Sequence, residues 1–236
     1  MEYKKGIDRK FRLPRVWSNQ ELKKFAHLFR GNVINVSGWK DEDKEGEHYK
    51  NYFKNASSYA ISNYKSEARG FQGEKGEIFL DLTKKLDQGL IEKYDVVFNH
   101  TVLEHIYEVH IAFANLCKLS NDIVIIVVPF LQQMHADYGD YWRFTPLTIK
   151  KMFEEQGMNL LYLSFNSEPN ASVYLFAIGT KNIKEWSKKI PPHFSYEDPT
   201  STGDGFENFV GCHAIKNERT NPSVKDRFKQ IMDAFR

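Results

Sequence analysis

An almost unbroken run of β-branched residues near the middle of the 236-residue chain constrains its fold most. The run reads Asp122-Ile-Val-Ile-Ile-Val-Val-Pro129. Such a segment is typical of a central strand in a parallel sheet, because helices then cover both of its faces. The apolar stretch around it, Ile123 to Leu131, is nine residues long. A stretch of that length is too short to cross a bilayer.

Shorter apolar runs predict further strands, and helical periodicity lies between several of them. The predicted strands other than the central one cover 32–36, 58–62, 77–82, 94–100, 160–165 and 172–178. The predicted helices cover about 102–119 and the segment from Pro146 to Gly157. Strands and helices that alternate and then end in a hairpin favour an α/β fold. We therefore expect an open, mostly parallel sheet with an antiparallel edge strand.

The two ends of the chain differ in composition from the middle. Residues 1–30 form a basic arm with nine Lys or Arg and three Asp or Glu, and Ser18 with Glu21 predicts a capping box that opens a helix running to about Arg30. The arm is either a solvated surface with a docking helix or a contact for an anionic substrate. We expect one domain over 31–180 and a C-terminal extension over 181–236 that packs on it, with a charged helix near 223–235.

Charge and cysteine content exclude several classes of protein. The chain has 33 Lys and Arg against 31 Asp and Glu, a net charge of +2. This balance argues against a partner held by phosphate attraction, so no nucleic acid is expected. Two cysteines, Cys117 and Cys212, are too few for a disulfide framework. The charged start has no apolar segment behind it, so we expect a cytoplasmic protein without a membrane partner. Self-association as a homodimer stays open.

Three motifs follow predicted strands in a fixed order. They are His100-Thr-Val-Leu-Glu-His-Ile106, Val128-Pro-Phe-Leu-Gln-Gln-Met-His135 and Asp140-Tyr-Trp-Arg-Phe-Thr145. In this order and spacing the chain resembles the class I S-adenosylmethionine-dependent methyltransferases from about residue 32 to 178. It most resembles the small methyltransferase type 11-like enzymes associated with surface-polysaccharide and glycan loci. The resemblance implies a Rossmann-like α/β/α sandwich with seven strands in the order 3-2-1-4-5-7-6, of which strand 7 is antiparallel. It also implies S-adenosyl-L-methionine as cofactor and S-adenosyl-L-homocysteine as product.

The loop after the first strand departs from the family pattern. The family has an acidic residue and two or three glycines here, whereas this chain has Asn35 and retains only Gly38. Ser37 and Gly38 are the expected cofactor contacts, since glycine permits a tight turn and a close backbone approach. Five acidic residues follow within 41–47. They either help to hold the α-ammonium group of the cofactor or belong to an eroded loop that binds it poorly.

Further cofactor contacts are implied at the ends of the next strands. Asn63 occupies the position of the family's ribose-binding carboxylate, and Asp81 with Leu82 falls where the adenine is bound. Asp81 is equally well explained as the N-cap of a helix over 82–90. Asn99 and His100 match the positions that line the methionine part of the cofactor.

The loop after the central strand carries the candidate catalytic residues His135, Asp140 and Arg143. A loop dense in titratable and aromatic side chains at the ligand-binding end of a sheet is a site candidate. His135 is the expected general base, with Asp137 or Asp140 orienting it, or else His135 and Arg143 bind an anionic acceptor. Arg143 has a structural alternative, an ion pair with Asp140. Three ligands from His135, Asp137 and Asp140 could bind a metal, but their spacing is not diagnostic and we expect none.

The resemblance implies an O-methyltransferase, and the class of its acceptor rests on the resemblance alone. Its acceptor would be a small glycan precursor, a nucleotide-linked sugar or a phosphorylated building block of a surface polysaccharide such as a capsule. The alternative is a methyltransferase fold without activity that serves as a scaffold or partner subunit. A nicotinamide-dependent oxidoreductase is disfavoured, because no G-x-G-x-x-G follows the first strand. Glu104 is expected to cap a helix and His105 to be packed.

Overall fold

The computed structural model describes residues 11–65, 70–135, 139–168, 171–194, 210–211 and 214. In this part of the chain eight strands form one sheet. The strands are β1 (Gly31–Val36), β2 (Ala56–Asn63), β3 (Glu77–Phe79), β4 (Tyr94–His100), β5 (Ser120–Leu131), β6 (Asn159–Phe165), β7 (Val173–Thr180) and β8 (His193–Phe194). Their order across the sheet is β3-β2-β1-β4-β5-β7-β6-β8.

The sheet confirms the predicted fold class and strand order. Strands β3, β2, β1, β4 and β5 are parallel neighbours, and β7 runs antiparallel to both β5 and β6. The short β8 then pairs parallel with β6 and extends the edge by one strand beyond the predicted seven. Strand β5 is buried along most of its length, as its β-branched sequence requires. The carboxyl ends of the parallel strands meet at one edge, which we call the carboxyl edge.

Four α-helices lie in the described residues. They are α1 (Arg12–Phe25), α2 (Val109–Leu119), α3 (Pro146–Glu155) and α4 (Ile183–Trp186). The predicted helix start at Glu21 is wrong by nine residues, because Pro14 is tolerated in the first turn of a helix that begins at Arg12. Ser18 therefore lies inside α1 and caps nothing there; its hydroxyl donates to the Arg15 carbonyl at 2.8 Å.

One other predicted helix is shorter than expected, and another is absent. The segment after β4 forms a 3₁₀ turn, Leu103–His105, before α2 begins. The helix over 82–90 is absent: that segment forms a turn and a 3₁₀ turn at Gln88–Leu90. Asp81 therefore caps no helix, and its Oδ1 accepts bonds from the backbone N–H and the hydroxyl of Thr83 at 2.9 and 2.7 Å.

Apolar side chains cover both faces of the sheet. Helices α2 and α3 pack on one face, and α1 with α4 packs on the other. The start of the predicted extension belongs to this second layer: Trp186 contacts Phe29 and donates its indole N–H to Asp122 at 2.6 Å. The helix predicted near 223–235 lies outside the described residues. Among the helices described, none is long and apolar enough to span a membrane.

Candidate functional site at the carboxyl edge

The loop after β1 is held by its own side chains. Ser37, Trp39 and Asp41 all have positive φ, and the buried Asp41 carboxylate accepts bonds from Asn35 at 2.7 Å and from Tyr59 at 2.6 Å. A Cβ at Gly38 would lie 2.4 Å from the Asn35 amide nitrogen. Gly38 is therefore needed for the close packing of this loop on Asn35.

The first two carboxylates of the acidic segment are likewise occupied. The second oxygen of Asp41 accepts the Lys50 N–H at 2.8 Å. Asp43 accepts the Tyr52 hydroxyl and the N–H groups of Glu45 and Glu47. Both carboxylates therefore stabilise the fold of the loop, and their bonds within the protein do not favour a role in holding the cofactor over the eroded loop that the sequence also allowed.

Asn63, at the end of β2, binds the loop after β1. Its Oδ1 accepts the Trp39 N–H at 2.7 Å, and its amide group donates to the Trp39 carbonyl at 3.1 Å and to Glu77 at 2.6 Å. These three bonds use both amide hydrogens. A ribose could be bound by Asn63 only after the Trp39 backbone moved away.

Leu82 and Asp81 lie beside one another after β3, in different surroundings. Leu82 is buried in the core, and its carbonyl accepts the Asn115 amide at 2.8 Å. Asp81 is partly exposed. Of these two predicted adenine contacts, only Asp81 has a polar side chain near the surface.

Helix α1 covers the end of β4, a contact that the sequence did not predict. The Ser18 hydroxyl lies 2.8 Å from His100 Nε2, and Arg15 donates to the Thr101 hydroxyl at 3.1 Å. Burial, followed by the charge of Arg15, lowers the pKa of His100 well below its ordinary value. Arg15 Nε and Asn99 Oδ1 are buried without a hydrogen-bond partner. The basic arm thus places a guanidinium group at the carboxyl edge.

Arg143 holds the loop after β5 in place. Its Nη atoms make a bidentate pair with Asp140 at 2.5 and 2.7 Å. The other three N–H groups reach the carbonyls of Trp142, Gln133 and Gln132. All five guanidinium donors are therefore used, which favours the structural alternative for Arg143 over an anion-binding role.

Asp140 links this arrangement to His135. One Asp140 oxygen accepts the His135 backbone N–H at 2.8 Å and lies 3.2 Å from His135 Nδ1, although Nδ1 does not meet hydrogen-bond geometry. The bonds from Arg143 lower the pKa of Asp140, and burial lowers the pKa of His135. A neutral imidazole beside a fixed carboxylate is suited to proton transfer. Asp137, the other expected partner, lies outside the described residues.

Glu104 is a buried carboxylic acid that the sequence analysis treated only as a helix cap. Its side chain is fully buried, and neither oxygen has a hydrogen-bond partner. Burial raises its pKa to about 8. His105 lies beside it, with Nε2 3.8 Å from Glu104 Oε1. The Leu-Glu-His motif drew attention to Glu104 in the sequence. It did not indicate that the carboxyl group is buried, because a helix cap does not require burial.

A wide groove opens at the opposite edge of the sheet. Its volume is about 810 Å³, and it lies around the amino ends of β1, β4 and β5, beside Gly31, Asp95 and Asn121. Parallel α/β sheets bind ligands beyond the carboxyl ends of their strands. The groove therefore lies at the end of the sheet opposite to the expected ligand site, and none of the predicted cofactor-binding or catalytic residues lines it.

Comparison with known proteins reveals a likeness in fold. No protein-family model matches the sequence, and no curated protein matches it. Among solved structures, a candidate methyltransferase from Bacillus halodurans C-125 covers 69% of this chain and 97% of its own length, with 12% identity and a TM-score of 0.52. An S-adenosylmethionine-dependent methyltransferase from Clostridium acetobutylicum ATCC 824 covers 71% and 91%, with 10% identity and a TM-score of 0.51.

A third similar structure contains the demethylated cofactor. The trans-methyltransferase CalH in complex with S-adenosylhomocysteine shares 15% identity with this chain, with a TM-score of 0.51. The match covers 70% of this chain and 57% of CalH. Together with the strand order, these structures define the architecture as the Rossmann-like fold of class I methyltransferases.

The residues at the carboxyl edge fit S-adenosylmethionine on the methionine side. Arg15 Nε is a cationic donor and Asn99 Oδ1 an acceptor, and both are buried there without partners. Ser62, at the end of β2, also has a buried hydroxyl without a partner. On the ribose side, Asn63 fits only if it releases the Trp39 backbone.

Proposed function

We propose that this protein is an S-adenosylmethionine-dependent O-methyltransferase. The proposal rests mainly on one observation: Arg15 and Asn99 bring unsatisfied, buried polar atoms to the carboxyl edge of a methyltransferase fold. Buried polar groups are normally hydrogen-bonded, so unpaired ones at a ligand-binding edge favour a polar ligand.

The chain offers contacts to each part of the cofactor. Arg15 would bind its α-carboxylate, because a guanidinium group pairs well with a carboxylate. Asn99 and the backbone of Ser37 and Gly38 would face the α-ammonium group. Asn63 would exchange the Trp39 backbone for the ribose hydroxyls, and Asp81 would accept the adenine amino group. When bound, the cofactor supplies a methyl group on an electrophilic sulfonium.

The acceptor side is formed by His135 and Asp140. His135 would take the proton from an acceptor hydroxyl, while Asp140 fixes the imidazole and Arg143 fixes Asp140. Tyr107 and Tyr141 are exposed nearby, with ring centroids 5.5 Å apart. Exposed aromatic rings suit the apolar faces of a sugar, which supports an acceptor among glycan precursors, nucleotide-linked sugars and phosphorylated surface-polysaccharide building blocks.

Titration calorimetry with S-adenosylmethionine tests the cofactor half of the proposal. We expect binding by the wild-type protein and a dissociation constant about tenfold to a hundredfold weaker in Arg15→Ala, since a hydrogen bond to a charged group contributes about 1.5–3 kcal/mol. Arg12→Ala is the matched control, because Arg12 is exposed on the same helix. Equal affinity in the two variants would remove Arg15 from the site.

Methyl transfer from labelled cofactor to a panel of nucleotide-linked and phosphorylated sugars tests the catalytic half. We expect His135→Asn to lower kcat about 10²- to 10⁴-fold, because a general base contributes that much. Its affinity for the cofactor should stay at the wild-type value. Unchanged turnover in His135→Asn would show that another group takes the proton.

A scaffold without activity is the second candidate function. The hydrogen bonds between the Asn63 side chain and the Trp39 backbone favour it. In that case the loop after β1 stays closed and the ribose position is filled by protein backbone. It predicts no heat of binding at millimolar S-adenosylmethionine. That result would refute the enzyme proposal.

A further inference from the structure

Three potential metal ligands meet next to the candidate catalytic loop. They are Glu104 and His105, from the 3₁₀ turn after β4, and His135, from the loop after β5. One ligand atom from each lies within 4.8 Å of the other two. The two imidazole rings are in edge contact, with centroids 5.1 Å apart.

Glu104 is the residue of this cluster that points to a bound cation. Its carboxyl group is fully buried and has no hydrogen-bond partner, although Glu104 Oε1 lies 3.8 Å from His105 Nε2. An ionised carboxylate is costly in a buried site unless it pairs with a cation or coordinates a metal, and without such a partner the group stays protonated. The charges of Arg15 and Arg143 both act on Glu104, but neither guanidinium group donates a hydrogen bond to it, and all five donors of Arg143 are used elsewhere.

The surroundings of His105 match those of a metal ligand, and a carboxylate lies close to the ring of His135. His105 Nδ1 lies 2.5 Å from the Gly139 carbonyl, so it carries the proton and Nε2 faces Glu104. Asp140 lies 3.2 Å from His135 Nδ1. Metal-binding histidines usually have a carbonyl or carboxylate at the second ring nitrogen, which fixes the tautomer and the ring orientation.

We propose that Glu104, His105 and His135 form a binding site for a divalent transition-metal ion of the Zn²⁺ type. Two imidazoles and one carboxylate suit Zn²⁺, Co²⁺ or Fe²⁺, whereas Mg²⁺ and Ca²⁺ prefer oxygen ligands alone. Bonds of about 2.0–2.2 Å to zinc require the ligand atoms to draw together by about 1 Å. Side-chain rotation of two partly exposed histidines can supply this movement.

This inference goes beyond the proposed function and does not depend on it. A cation at this site would use the imidazole lone pair that His135 needs as a base, so the two roles of His135 exclude each other at any moment. Metal binding can be measured without a cofactor or an acceptor. The failure of one proposal therefore leaves the other intact.

Titration of chelator-treated protein with Co²⁺, followed by visible absorption, tests the site. We expect one equivalent of Co²⁺ to produce d–d bands that Zn²⁺ abolishes. Glu104→Gln should weaken binding at least tenfold while keeping the shape of the buried side chain. His27→Asn is the control, because His27 is exposed at the other edge of the sheet, and it should bind as the wild type does.

A second variant guards against a folding defect in Glu104→Gln. His105→Asn should also weaken Co²⁺ binding at least tenfold, with far-ultraviolet circular dichroism unchanged. Absence of d–d bands in the wild type at millimolar Co²⁺ would overturn the proposal. So would wild-type affinity in both variants, since the ion would then be bound by other residues.

Discussion

At the scale of single residues, the carboxyl edge contains side chains whose polar atoms are all paired and side chains with buried polar atoms that have no partner. Arg143 and Asp43 are fully engaged within the protein, although both are charged residues in candidate loops. Glu104, Asn99 and Arg15 contain buried polar atoms without partners. A residue type alone does not distinguish the two groups, because the difference lies in the number of donors and acceptors already used.

His100 predicts a dependence of stability on pH. Its pKa is lowered in the folded protein, so the native state binds fewer protons than the unfolded state below about pH 6.5. Its contribution to stability is fully present above about pH 6.5 and is lost progressively as the pH falls from that value to the lowered pKa of the folded state. Urea unfolding between pH 5 and 8 should show that His100→Gln loses less stability on acidification than the wild type.

The size of this effect is bounded by linkage. One group can contribute at most about 1.4 kcal/mol for each pH unit between its folded and unfolded pKa values. Burial also lowers the pKa of His105 and of His135, so the variant should keep part of the slope. Parallel stability curves for the two proteins would contradict the burial of a neutral His100 between Ser18 and Thr101.

At the scale of elements, the loop after β1 determines how the ends of β1 and β2 are joined. We predict that Gly38→Ala destabilises the protein by about 1–3 kcal/mol, because its Cβ would overlap the Asn35 amide that bonds Asp41. Gly89→Ala is the matched control, since no atom lies within 4 Å of the added Cβ there. Urea unfolding measures both; equal stability of the two variants would show that Asn35 moves aside freely.

The elements themselves were largely predictable from the sequence, whereas the contacts of the site were not. Hydrophobic patterning predicted β1, β2, β4, β5, β6 and β7 to within a few residues, since burial decides where strands form. The start of α1 was missed, because the Ser18 and Glu21 pattern imitates a capping box within a continuing helix. The Asn63 bonds depend on the positive φ of Trp39, which no periodicity reveals. The partners of Arg143 likewise follow from a loop conformation.

At the scale of the whole molecule, the sheet has two chemically different edges. The amino edge carries the wide groove beside Gly31 and Asp95, and both oxygens of Asp95 are paired there, with the Asn32 N–H at 2.7 Å and the Asn121 amide at 3.3 Å. At the carboxyl edge, the side-chain amide of Asn63 is bound to the backbone of Trp39. The wide groove therefore lies at one edge, whereas the buried polar atoms without partners lie at the other. Sheet polarity favours the carboxyl edge.

Hydrogen exchange with and without S-adenosylhomocysteine decides between the two edges. We expect slower exchange at residues 36–41 and 99–105, because ligand binding there would stabilise the loop after β1 and the turn after β4. Exchange at 28–31, 94–96 and 120–122, around the groove, should stay unchanged. Arg15→Ala should lose the protection at 99–105 at ligand concentrations that saturate the wild type. Protection confined to the groove residues would place the ligand at the amino edge and contradict the role given to the carboxyl ends of the strands.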